Sequence, residues 1–111
     1  MVEYVDFEKD RVFHAMSDSI RRDMMRRLAA RELSVSQLAK HYPVSLAAVS
    51  KHIRVLQEAG LVQKTRSGTT QLCSANLGPL GKVSEVLEEL GQFWRGRLDS
   101  LQELLEKKEP K

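Results

Sequence analysis

The stretch Glu32–Arg66, ELSVSQLAKHYPVSLAAVSKHIRVLQEAGLVQKTR, contains two short helical patterns, a glycine stop and the opening of a strand. Ser34 is followed three residues later by Gln37, the spacing of a capping box, in which each side chain satisfies a backbone donor left free at a helix start. That spacing predicts a short helix from about Val35 to His41. Pro43 disfavours helical geometry at Tyr42, and Ser45 offers a second cap oxygen just before an apolar-periodic run. A turn therefore separates two helices. From Leu46 the apolar residues Val49, Ile53 and Leu56 recur at spacings of three and four, while Ser45, Ala48, Ser50, Lys51, His52 and Arg54 fall on the other faces. Gly60 supplies the left-handed residue that closes many helices. The second helix thus spans about fifteen residues, buries its apolar stripe and leaves small, polar and basic groups exposed. Small residues at its start let the backbone approach another surface closely.

Beyond Gly60, Leu61 to Gln63 and Thr70 to Leu72 alternate weakly around Arg66, Ser67, Gly68 and Thr69. Gly68 predicts a tight hairpin turn with Lys64 and Arg66 near its tip. Two helices joined by a turn and followed by a ribbon make the plan of a winged helix-turn-helix, whose second helix enters a DNA major groove. The predicted fold class is mainly α with a small β-hairpin wing. Upstream, Val12, Phe13, Ala15 and Met16 mark a first helix beginning near Asp6, and Ser17 or Asp18 caps a second that runs to about Arg31. Ile20, Met24, Met25 and Leu28 form its apolar face. Arg21, Arg22, Arg26 and Arg27 project from the others, solvated and partly paired with Asp18 and Asp23; the alternative is contact with phosphates.

Downstream, Leu80, Val83, Leu87, Leu90, Trp94, Leu98, Leu101 and Leu105 recur at three or four residues. They predict one long helix over residues 78–108, weakened at Gly91 and Gly96, with an interruption near Gly91 as the alternative. A helix of about 28 residues is about 40 Å long, more than one small domain can cover, so the stripe predicts a partner helix. The alternative is an intramolecular hairpin with the first helix.

At 111 residues the chain has room for a single domain, 1–111, with a limited core, and a second copy is a natural way to add buried surface. Residues 45–77 carry four basic groups (Lys51, Arg54, Lys64, Arg66) against Glu58 alone, whereas the flanking segments are nearly balanced. The electrostatic footprint for phosphate therefore lies on the second helix of the pair and the ribbon. No run of eighteen apolar residues exists and MVEYVDFEKD lacks an export pattern, so a cytoplasmic, membrane-free protein is expected. The single cysteine, Cys73, has no internal disulfide partner, which suits a reducing compartment. The charged tail Glu106–Lys111 is expected to fray. There is no phosphate-binding glycine loop, nucleophile elbow or metalloprotease motif, and Ser50 and His52 lie on different helix faces, so no enzyme is predicted.

The segments FHAMSDSIRRDMMRRLAARELSVSQLA (Phe13–Ala39) and SLAAVSKHIRVLQEAGLV (Ser45–Val62), with the ribbon after them, resemble the ArsR family of small bacterial repressors over Phe13 to Asn76. The resemblance implies a homodimer joined through first and last helices, with Val12, Leu87, Leu90, Trp94, Leu98 and Leu101 at the interface. It also implies two recognition helices in successive major grooves of a roughly palindromic double-stranded operator. Carried onto this chain, the resemblance gives Ser45, Ala47 and Ala48 to phosphate or a thymine methyl group, and Ser50, Lys51, His52 and Arg54 to the outward face. Ser36 and Gln37 would position the backbone, and Arg66 and Thr69 would act from the wing. For His52 the alternative is a partly packed ring on the helix flank.

Many members of that family leave DNA on binding a metal through a motif resembling ELCVCDL. This chain reads ELSVSQL, with Ser34 and Ser36 where the thiolates would be, and neutral hydroxyls bind soft or borderline metals poorly. Residues 78–111 contain no histidine, leaving Glu85, Glu88 and Glu89 as an oxygen-only group, and His14, His41 and His52 share no ligand spacing. No metal and no cofactor are expected. FWRGRLDSLQELLE (Phe93–Glu106) is similar to metal-independent members, so the effector is unknown, and Cys73 reads as a small buried strand residue. The competing class is a winged helix that binds an acidic protein partner.

Overall fold

Asp6, Asp18, Ser34 and Ser45 open the four N-terminal helices, each through a side-chain oxygen. The structure, a computed structural model, describes residues 6–108. Asp6 accepts from the amides of Glu8 and Lys9 ahead of α1 (Phe7–Met16), and Asp18 from those of Ile20 and Arg21 ahead of α2 (Ser19–Ala30). The expected capping box is complete: Gln37 N donates to Ser34 Oγ at 3.1 Å and Ser34 N to Gln37 Oε1 at 2.9 Å, opening α3 (Val35–Ala39). Ser45 Oγ accepts from Ala48 N at 3.1 Å at the start of α4 (Leu46–Glu58). Each such cap contributes about 1 kcal/mol.

One helix boundary differs from expectation. α3 stops at Ala39 instead of His41, because the chain tightens into bonds from His41 N to Leu38 O and Tyr42 N to Ala39 O on its way to Pro43. α4 closes through Gly60 at φ +77°, with Leu61 N donating to Leu56 O and Gly60 N to Gln57 O. These two bonds form a Schellman motif, which satisfies carbonyls that a bare helix end would strand, and its apolar contact joins the fully buried Leu56 and Leu61.

The ribbon is longer than predicted. β2 (Val62–Ser67) pairs antiparallel with β3 (Thr70–Ala75), and β1 (Leu33–Ser34), not anticipated, pairs with the other side of β3 in the order β1-β3-β2. Ser67 faces Thr70 and leaves Gly68-Thr69 as a two-residue turn. Gly68 has φ +64° and Thr69 does not have a positive φ, the pattern of a type II′ hairpin.

The core gathers Val12 and Ala15 of α1, Met24, Met25 and Leu28 of α2, Leu38 of α3, the stripe Val49, Ile53 and Leu56 of α4, then Leu61, Val62, Cys73 and Val83. Asn76 turns the chain out of this body: its N donates to Leu61 O at 2.8 Å and its Nδ2 to Gly60 O at 3.0 Å. α5 (Gly78–Lys108) then runs 31 residues without a break at Gly91, about 46 Å at 1.5 Å per residue. Only its first turns, at Leu80 and Val83, join the core, so the hairpin with the first helix covers the beginning of the stripe and nothing beyond. Val12 is corrected as an interface residue: at 5% exposure its surface is already enclosed within the protomer.

Candidate nucleic-acid interface

α4 presents what remains after its stripe is buried. Val49, Ile53 and Leu56 are fully enclosed, and Ser45, Ala47, Ser50, Lys51 and Arg54 are exposed. Ala48 and His52 are half-buried on one flank. At 100° per residue Lys51 and Ala47 lie nearly opposite the buried stripe. Leu46, read above as the first residue of that stripe, is instead 57% exposed, and Val44 before it is also exposed. Periodicity gave no sign of this exposure, because Leu46 keeps the stripe's spacing, three residues before Val49 and seven before Ile53. Ser36 and Gln37 are exposed at the start of α3, where the Gln37 Oε1 is held by the capping box.

On the ribbon, side chains alternate between faces, so Val62, Lys64 and Arg66 share one face, with Lys64 opposite Cys73 and Arg66 opposite Gln71. Val62 and Cys73 are buried, and Lys64 and Arg66 continue the same face past the end of the body into solvent. Thr69 is exposed in the turn. The cations of α4 and the wing therefore stand on surface elements free of acidic partners among the described ion pairs.

One arginine of α2 departs from expectation. Arg21 is buried, not solvated: its Nε donates to Ala15 O at 2.7 Å, its Nη2 to His14 O at 3.0 Å, and its Nη1 meets His52 Nδ1 at 3.0 Å. His52 is thereby tied to the body on its Nδ1 side. Arg22 caps α1 through Met16 O at 2.8 Å, Arg27 pairs with Asp23 at 2.8 Å, and Arg26 is exposed. Asp18 is held below its ordinary carboxyl pKa, first by the Arg21 amide, with burial opposing it, and further by the Arg21 charge.

A second surface lies on α5. Leu87, Leu90, Trp94, Leu98 and Leu101 are all exposed, as are Phe93, Leu104 and Leu105 beside them and Phe7 on α1. Phe93 and Trp94 meet edge to face at 5.4 Å, and the Arg97 guanidinium sits 5.1 Å from the Phe93 ring centre. Leu87, Leu90, Phe93 and Trp94 recur eleven residues later as Leu98, Leu101, Leu104 and Leu105. That period of about 3.67 residues per turn keeps the stripe nearly straight along the helix.

Among the described residues no three His, Cys, Asp or Glu side chains converge as metal ligands, and no helix is long and apolar enough to cross a membrane. Ser34 Oγ, at one of the two motif positions, is engaged in the α3 cap.

Residues 16–65 match the family described as a helix-turn-helix domain. The HTH-type transcriptional regulator Rv2034 of Mycobacterium tuberculosis is 36% identical over 97 residues, covering 87% of this chain and 88% of that protein. The transcriptional repressor SdpR of Bacillus subtilis is 30% identical over 57 residues, 51% of this chain and 63% of its own length. Among solved structures, an ArsR-like transcriptional regulator from Rhodococcus sp. RHA1 superposes with TM-score 0.79 at 33% identity, covering 98% of this chain and 100% of that one.

Proposed function

This chain belongs to the ArsR family of winged helix-turn-helix, DNA-binding transcriptional regulators, and from that membership we propose that it is a homodimeric repressor of a roughly palindromic operator. The observation that carries the reading is the division of α4 between a buried Val49-Ile53-Leu56 stripe and an exposed face of Ser45, Ala47, Ser50, Lys51 and Arg54. Small residues at the start bring the backbone close to bases, and Lys51 and Arg54 supply charge for phosphates or a guanine edge. Ala48 lines the same helix start, and Ser36 and Gln37 of α3 contact the backbone alongside it. Arg66 and Thr69 extend the grip through the wing, and His52 contributes from the flank.

The dimer is supported by the bare α5 stripe at Leu87, Leu90, Trp94, Leu98 and Leu101, too large an apolar surface to leave in water on a chain this size. In a homodimer whose two-fold axis passes between paired α5 helices, two copies of α4 about one helical turn of DNA apart, roughly 34 Å, would read a palindromic operator. The repressor is cytoplasmic, where its DNA is. SdpR, which shares half of this chain's length at 30% identity, is named a repressor, and that supports the sign of regulation. With serines at positions 34 and 36, the α3 metal motif has lost its thiolates, so added zinc leaves operator affinity unchanged and the effector is of another kind.

Titration of the chain against random-sequence duplex at rising salt tests the reading. Steep salt dependence, with a slope reduced by about one for each phosphate-contacting cation removed at Lys51 or Arg66, is the expected result. No duplex binding at low salt shifts the exposed face of α4 to the competing role, docking of an acidic protein.

A further inference from the structure

We propose that Arg21 is a positioning residue for DNA recognition, which fixes His52 so that its imidazole presents an Nε2–H donor along the DNA-facing edge of α4. The inference rests on the reading of α4 as the helix that meets DNA. Arg21 is 8% exposed, and each nitrogen of its guanidinium is engaged: Nε donates to Ala15 O at 2.7 Å, Nη2 to His14 O at 3.0 Å and Nη1 meets His52 Nδ1 at 3.0 Å. The two carbonyls belong to the last turns of α1, whose dipole favours a cation there. A guanidinium has donors only, so the ring nitrogen facing Nη1 must offer its lone pair. Nδ1 is then the acceptor and Nε2 carries the hydrogen. A ring protonated on both nitrogens would set one N–H against another.

Nε2 is taken up by no described residue, and no buried side-chain nitrogen in the half-buried residues lacks a partner, so Nε2 is open to solvent. On α4, His52 stands one turn beyond Ala48 and two beyond the N-cap Ser45, in one row along the same edge. A donor at that place selects a hydrogen-bond acceptor: a phosphate oxygen, or the N7, O6 or O4 of a purine or thymine edge, and not the amino group of cytosine. Arg21 contributes by removing the other tautomer, so its effect on recognition passes through His52.

The experiment uses the ¹⁵N-labelled full chain and duplex fragments selected from a random pool by the wild-type protein. Long-range ¹H–¹⁵N correlation is expected to give His52 as the single Nε2–H tautomer. Arg21→Lys, which keeps the charge but cannot fork to two carbonyls and a ring, should leave a mixed tautomer and weaken binding. His52→Gln, which keeps a donor near the place of Nε2, should hold affinity within a few-fold, whereas His52→Leu should lose about tenfold. Should Arg21→Lys fail to fold, the wild-type tautomer and the His52 pair still decide. A loss confined to selected fragments assigns the acceptor to a base edge, and an equal loss on random duplex assigns it to phosphate; both support the proposal. An Nδ1–H tautomer in the wild type, or His52→Leu binding as the wild type does, overturns it while leaving DNA binding intact. A wild-type chain that binds no duplex removes the DNA reading itself.

Discussion

Tyr42 Oη donates a 2.8 Å hydrogen bond to Asp23 Oδ2, the oxygen that also receives Arg27 Nε at 2.8 Å. The contact joins the turn ahead of Pro43 and α4 to the middle of α2, so the placement of α4 depends on a polar clasp as well as on the core. The Asp23 carboxyl is held below its ordinary pKa, first by the Tyr42 hydroxyl and then by Arg27. The Tyr42 phenol is pushed up to about 12, chiefly by burial and next by its bond to Asp23.

Tyr42→Phe removes one hydrogen bond and leaves Asp23 its Arg27 partner. A loss of about 1 kcal/mol in urea unfolding is expected, with an unchanged denaturant slope. A variant as stable as the wild type would mean that the bond exchanges freely with water.

The same clasp sets a pH dependence. Because the folded phenol titrates above its unfolded value, its contribution is complete below pH 10 and is lost as pH rises toward about 12. Asp18 and Asp23, both depressed, act in the opposite direction: their contribution is present above the ordinary carboxylate range and is lost as pH falls through their folded values. Unfolding midpoints should therefore fall at both extremes, and the alkaline fall should be shallower in Tyr42→Phe. Parallel alkaline curves for the two proteins would contradict the assignment to Tyr42.

How much of this was legible in the sequence follows from how local each cause is. The caps at Ser34 and Ser45, the stop at Gly60 and the turn at Gly68 are decided within a few residues and were readable, as were helix starts near Asp6 and at Ser17 or Asp18. β1 was not, since Leu33 and Ser34 pair with Leu72 and Cys73 some forty residues away and also serve the α3 cap. Arg21 was unreadable for a related reason. It sits in an arginine-rich helix beside Arg22, and only the approach of α1 and α4 distinguishes its buried guanidinium from its exposed neighbour. On α4 the exposure of Ser50, Lys51 and Arg54 followed from periodicity, but that of Leu46 and the tie between His52 and Arg21 did not. Val12 was misread because an apolar residue on a terminal helix has the same pattern whether it faces the protomer's own core or a partner.

Cys73 is fully buried opposite Leu33 and Lys64, and burial pushes its thiol up, against a lesser pull from the Lys64 charge. Thiolate is the reactive form, so native Cys73 should resist iodoacetamide and react at the rate expected for an unfolded peptide once denaturant is added. Fast native alkylation would show that the ribbon opens locally and would make the thiol a candidate sensor.

Trp94→Glu tests the α5 stripe. Trp94 is 59% exposed and lies three helical turns beyond Val83, the last α5 residue enclosed by the core, so a carboxylate there leaves the core untouched and removes only the edge-to-face contact with Phe93. Within a dimer the same carboxylate would be forced among Leu90, Leu98 and Leu101, or their copies, with no partner for its charge. Desolvation of that charge and loss of the ring should weaken association by more than 2 kcal/mol, roughly thirtyfold or more in Kd. Sedimentation at micromolar concentration is expected to give a dimer for the wild type and a monomer for the variant, with the far-ultraviolet helix signal of α1 to α4 retained. Duplex affinity should fall with the dimer, because one α4 then holds one half-site without its twin. A variant that stays dimeric would place the interface away from this stripe, and a wild-type monomer would leave the stripe to some other partner.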